Sequence, residues 1–84
     1  MLRKEVTVRD IDKKYDHPLA EMVQIANQFK SEIILECEKY SINAKSIMGM
    51  MSLGLASGEE VVVVAEGNDE GAAVEEIEKF LSGR

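Results

Sequence analysis

Ser57-Gly58-Glu59-Glu60-Val61-Val62-Val63-Val64-Ala65-Glu66 is the segment around which the architecture of this chain is built. Val61 to Ala65 is apolar at every position and β-branched over its first four residues, and it follows the turn signal Ser57-Gly58. Stiff, branched side chains suit a pleated surface, so the run reads as a central strand with apolar side chains on both faces. It is far too short to cross a bilayer.

Outward from this strand, the hydrophobic period alternates between two and 3.6. Upstream, Ile33, Leu35 and Cys37 alternate with Glu32, Glu36 and Glu38, and a second short alternation carries Tyr40 and Ile42. A tight hairpin around Glu38-Lys39 is expected to join them. The turn lacks the Asn-Gly or Asp-Gly pair that adopts positive backbone angles most readily. At the start of the chain, Val6 and Val8 alternate with Glu5, Thr7 and Arg9, the pattern of a half-buried strand. Between these strands, Leu19, Met22, Val23, Ala26 and Phe29 fall on one helical stripe, with Glu21, Gln24, Asn27 and Gln28 facing away. That helix is expected to begin near Asp16 to Pro18, where an acidic residue and a proline suit a first turn. Beyond Gly67, Asn68 or Asp69 is positioned to cap a last helix whose buried stripe is Ala73, Val74, Ile77, Phe80 and Leu81. The order β-α-β-β-α-β-α predicts an α+β two-layer sandwich, one sheet covered on one face by helices.

Size and charge bound the function. Eighty-four residues make one domain, residues 1–84, with a small core. No repeat or low-complexity stretch interrupts it. Sixteen acidic residues against ten Lys and Arg give a net charge of −6, and two Tyr and two Phe form no stacking platform. Direct nucleic-acid binding is therefore not expected, and a partner with a basic patch suits the chain better. A single Cys37 allows no internal disulfide, and Met1-Leu2-Arg3-Lys4-Glu5 lacks the apolar core of a signal peptide, so a cytoplasmic protein with no membrane contact is expected. No P-loop, Ser/His/Asp set or metal-ligand cluster is present, which predicts a protein that is not an enzyme and takes no metal or cofactor.

The stretch Asn43-Ala44-Lys45-Ser46-Ile47-Met48-Gly49-Met50-Met51-Ser52-Leu53-Gly54 combines a helix start, a hydroxyl and a surplus of apolar residues. Ser46 precedes the helix-compatible run, where its oxygen can accept from a first-turn N–H, contributing about 1 kcal/mol. A phosphate there would bring about −1.5 to −2 charges to the positive end of a helix. At 100° per residue, Ile47, Met48, Met51 and Leu55 fall on one side, and Met50 and Leu53 on the other. One short helix cannot bury both sides against one sheet. Either Ile47, Met48 and Met51 form an exposed patch beside Ser46, or the segment is a Met-rich packing helix filling a shallow core.

The same segment resembles the regulatory-serine segment of the HPr family, the histidine-containing phosphocarriers of the bacterial sugar phosphotransferase system. The resemblance runs without gaps over essentially the whole chain, taking in Ala26, Phe29, Leu35-Glu36 and Gly67-Asn68-Asp69-Glu70. It implies an HPr-like open-faced β-sandwich, a four-stranded antiparallel sheet with three helices on one face. It also implies that Ser46 is phosphorylated by HPr kinase/phosphorylase, and that Ile47, Met48 and Met51 dock partners.

The family's phosphocarrier motif, His-Ala-Arg-Pro, is represented here by Tyr15-Asp16-His17-Pro18, in which only the proline matches. A phenol near pKa 10 forms a much less reactive ester than the labile N-phosphate of an imidazole near 6.5. Asp16 repels an incoming phosphoryl group, and a bidentate arginine clamp is missing. His17, the one histidine of the chain, is the alternative acceptor. Moving two positions along a first turn rotates a side chain by about 200°, so its bland reading is a helix-start histidine. A retained serine with a lost histidine resembles the Crh branch of the family. That resemblance implies a regulator of carbon catabolite repression that acts with a CcpA-like transcription factor. Small domains can exchange terminal strands between copies, so a monomer and a weak or swapped dimer both stay open.

Overall fold

A computed structural model describes residues 1–9, 11, 16–38, 40–46, 48–50 and 57–83. Its elements are β1 (Leu2–Thr7), α1 (Pro18–Asn27), β2 (Glu32–Cys37), β3 (Tyr40–Asn43), β4 (Glu60–Glu66) and α2 (Glu70–Leu81). A helical turn at Met48–Met50 occupies the chain position of the middle helix. The sheet order is β1-β4-β2-β3, antiparallel throughout. The molecule is thus an open-faced α+β sandwich with α1 and α2 packed on one side of the sheet.

The valine run lies between β1 and β2, and this explains its composition. Val61, Val63 and Ala65 point into the core with Val6, Ile33 and Leu35 from the neighbouring strands and Met22, Ala26, Ile77 and Leu81 from the helices. Val62 and Val64 point the other way. Val64 is only 7% exposed although no second layer of the described residues covers that face. Arg3 and Ile34 lie directly opposite it on either side, and Arg3 pairs with Glu36 at 2.6 Å, reaching over β4 from one neighbouring strand to the other. Both partners are well exposed, so the pair itself contributes ~0–1 kcal/mol, and the shielding of Val64 comes from the apolar stems around it.

Two strand readings are refined. β1 starts earlier than the Val6/Val8 alternation indicates, because Lys4 on its helix-facing side keeps its ammonium at the rim, 3.2 Å from Glu78 of α2. Val8 is fully buried and extends the pairing past Thr7, its N–H donating to the Glu59 carbonyl at 2.8 Å. The hairpin closes on Cys37 opposite Tyr40, with Glu38 in the turn; Lys39 lies outside the described residues. Tyr40 is 64% exposed, at the start of the four-residue edge strand β3.

The start of α2 departs from the expected cap. Asp69 occupies the N-cap position but makes no side-chain cap bond. Its carboxylate instead accepts from the Lys30 N–H at 2.8 Å, the Ser31 N–H at 2.9 Å and the Ser31 hydroxyl. The turn that follows α1 is thereby latched to the start of α2. Gly67 is required at this latch, because a Cβ there would lie 2.7 Å from the Ser31 Cα. Glu70 closes the same corner by accepting from the Gly67 N–H at 3.2 Å.

Hydrogen bonds to the charged form, first from the Ser31 hydroxyl and then from the Lys30 amide, lower the Asp69 carboxyl to about 2 from 3.8. A depressed carboxylate stabilises the fold above its unfolded value, and that stabilisation fades as pH falls from about 3.8 to about 2. Asp69→Asn is expected to lower the melting temperature at neutral pH and to flatten the acid limb of the stability curve, as measured by thermal unfolding from pH 7 to 2. In the core, Leu35→Ala is expected to cost about 2–5 kcal/mol by urea unfolding, since the side chain is completely buried between sheet and helices.

Candidate functional site

The Ser46 segment leaves the sheet at the end of β3, where the Ala44 N–H still donates to the Ile33 carbonyl at 2.9 Å and its side chain is fully buried. Asn43 then bends the chain in two ways. Its side-chain oxygen accepts from the Lys45 N–H at 2.9 Å, an Asx turn, and its carbonyl accepts from the Ser46 N–H at 3.1 Å. Ser46 caps the following helical turn as its sequence position suggests. Its hydroxyl accepts from the Gly49 N–H at 3.3 Å, and its carbonyl accepts from the Met50 N–H at 3.0 Å. The cap bond is long and the residue is exposed, so the hydroxyl oxygen faces solvent.

The two open readings of the methionines divide along the described residues. Met50 is fully buried in the core, whereas Met48 is 82% exposed. Gly49 between them allows a close approach: a Cβ there would lie 3.0 Å from Ile42 Cγ2 and 3.5 Å from Ser46 Oγ. Ile47 and Met51, the other expected members of the apolar patch, lie outside the described residues.

Tyr15 also lies outside the described residues. Asp16 and His17 are exposed, and His17 is the N-cap of α1 with Pro18 in the first turn. Its carbonyl accepts from the Glu21 N–H at 3.0 Å, but its imidazole makes no cap bond. Among the described residues no group of three His, Cys, Asp or Glu gathers to hold a metal ion. No helix among them is long and apolar enough to cross a membrane.

Sequence reasoning missed the groups that tie Ser46 to α1. Lys45 Nζ donates to the Phe29 carbonyl at 2.6 Å, and Asn27 Nδ2 donates to the Lys45 carbonyl at 3.3 Å. The Asx turn was legible in Asn43 standing two residues before Lys45. The reach of Asn27 across eighteen positions had no local signal. A cleft of about 980 Å³ opens at the opposite end of β2 and β3, around Cys37, Tyr40 and the carboxylates of Glu5, Glu36, Glu38, Glu59 and Glu60. Partial burial, with the Glu59 charge adding to it, raises the Cys37 pKa, which keeps the sulfur protonated and a poor nucleophile at neutral pH.

Comparison with known proteins bears on the family of the chain. Residues 2–83 match the family model described as the PTS HPr component phosphorylation site. The HPr-like protein Crh of Halalkalibacterium halodurans is 43% identical over 81 residues, spanning 96% of each chain. Crh of Bacillus subtilis is 41% identical over 81 residues, 96% of this chain and 95% of the relative. Among solved structures, the phosphocarrier HPr of Bacillus anthracis superposes with a TM-score of 0.88 at 35% identity over 95% of each chain. The Bacillus subtilis Crh crystal structure, described as a swapped dimer, gives 0.74 at 38% identity, covering 93% of this chain and 84% of that one. With residues 2–83 matched and its fold superposing on that of a known HPr, the chain belongs to the HPr family of the phosphotransferase system, as a Crh-like member.

Proposed function

We propose that this protein is a Crh-type regulator of carbon catabolite control, switched by phosphorylation of Ser46 and acting through protein binding without relaying phosphate on a histidine. The observation that carries the reading is the exposed Ser46 hydroxyl at an N-cap, two residues from Met48 with its side chain in solvent. A phosphate on Ser46 would add about −1.5 to −2 charges beside an apolar contact, changing which partner surface is complementary while leaving the core untouched. Tyr15 in the family's histidine position, followed by Asp16, supports the loss of the carrier function.

HPr kinase/phosphorylase is the modifying partner in this reading, and a CcpA-like transcription factor is the responding one. Ile47 and Met51 complete the docking patch around Met48. The protein works in the cytoplasm, as a monomer or as a swapped dimer of the kind described for the Bacillus subtilis relative. His17 is not an acceptor in this scheme.

Incubation with HPr kinase/phosphorylase and ATP is expected to add one phosphate, located at Ser46 by mass spectrometry and absent from Ser46→Ala. An unmodified Ser46 rules the switch out. Phosphoenolpyruvate and enzyme I are expected to leave the chain unlabelled, and acid-labile phosphate that disappears in His17→Asn would restore the carrier reading. Met48→Asp is expected to weaken binding of the phosphorylated form to its transcription-factor partner by roughly 30-fold, as for loss of a central contact worth about 2 kcal/mol. Its melting temperature should match the parent's, because the side chain contributes little to the core.

A further inference from the structure

α1 carries no basic residue in its last turn, although the negative end of a helix favours a cation. The cation is supplied from elsewhere in the chain, by Lys45 donating from Nζ to the Phe29 carbonyl at 2.6 Å. The backbone of the same residue is held from both sides. Its N–H donates to Asn43 Oδ1 at 2.9 Å and its carbonyl accepts from Asn27 Nδ2 at 3.3 Å. Asn27 is itself fixed, donating from Nδ2 to the Val23 carbonyl at 2.8 Å. Every polar group of Lys45 is thus engaged, while the next residue, Ser46, holds its hydroxyl by one long cap bond and faces solvent.

We propose that Lys45 is a positioning residue for the modification of Ser46, a clamp that joins the end of α1 to the serine and presents its hydroxyl in one fixed geometry. The inference rests on the reading that Ser46 is phosphorylated. In that step Ser46 Oγ bonds to the γ-phosphorus of ATP, the bond to the ADP oxygen breaks, and the hydroxyl proton passes to a base of the kinase. In-line transfer requires the attacking oxygen to be held in place. A segment left loose must be ordered as the kinase binds, and the entropy of ordering then weakens binding. With Lys45 seated on Phe29, that ordering is already done in the free protein. Asn27 belongs to the same clamp and carries no charge.

The test is steady-state phosphorylation by HPr kinase/phosphorylase and ATP, with the full chain as variable substrate, paired with melting curves for each variant. Lys45→Met and Asn27→Ala are each expected to raise KM roughly tenfold, equivalent to about 1.4 kcal/mol, with kcat little changed. Lys45→Arg should recover most of the loss, and the effects should persist in high salt. Lys45→Gln, which retains a donor for the carbonyl, takes the place of Lys45→Met should the latter melt below the assay temperature. Unaltered KM in both Lys45→Met and Asn27→Ala overturns the clamp. So does a defect confined to Lys45→Met that fades with salt, because Lys45 would then attract the kinase by charge alone. A parent chain that the kinase does not modify at Ser46 overturns the functional reading instead, and the clamp with it.

Discussion

Insertion of β4 between β1 and β2 is the constraint to which the remaining elements conform. With β4 paired to β1 on one edge and to β2 on the other, β2 lies one position further across the sheet from β1. The segment between β1 and β2 must therefore pass over β4, and α1 makes that passage on the face where Val61, Val63 and Ala65 need cover. The short hairpin then returns β3 antiparallel to β2, so that Asn43 comes to lie beside Ile34 near the start of β2. That is also where α1 delivers the chain. Ser46 reaches the end of α1 because of strand order and hairpin length, and the Lys45 and Asn27 contacts secure a proximity that the topology has already created.

The same constraint shows why parts of the fold were legible in the sequence and others were not. A strand buried on two faces has to be apolar at consecutive positions, and a helix on a sheet has to be apolar at every third or fourth. Both patterns are local, and the valine run and the stripes of α1 and α2 appeared where they implied. The role of Asp69 is not local. An aspartate before a helix reads as a cap, but Lys30 and Ser31, more than thirty-five residues away in sequence, offer it two amides and a hydroxyl and take it out of the capping role. Tyr40 shows the complementary failure. Its place in an alternating pattern says which face it occupies, while its exposure depends on its position at the edge of the sheet.

At the candidate site, composition singled out Ser46 and left its support hidden. Ser46 stood out because a hydroxyl, a helix start and an excess of methionine coincide, and the helical wheel separated Met48 from Met50 before any coordinates did. Asn27 and Lys45 are ordinary surface residue types, and nothing in their spacing announces that they meet at the end of α1; only the Asn43 turn has a local signal. Polar clamps of this kind form between elements, so their members become visible only once the elements are in place. Tyr15 was informative for a different reason. A motif of which only Pro18 is kept alters the expected chemistry through the reactivity of the substituted side chains, whatever the surrounding structure.

The division of labour between neighbouring methionines has an evolutionary side. Met50 is committed to the interior, and nearly any change there is paid for in folding. Met48 has its side chain almost wholly in water, so selection can alter it with little loss of stability. The surface at that position can therefore drift while the scaffold beneath it stays the same.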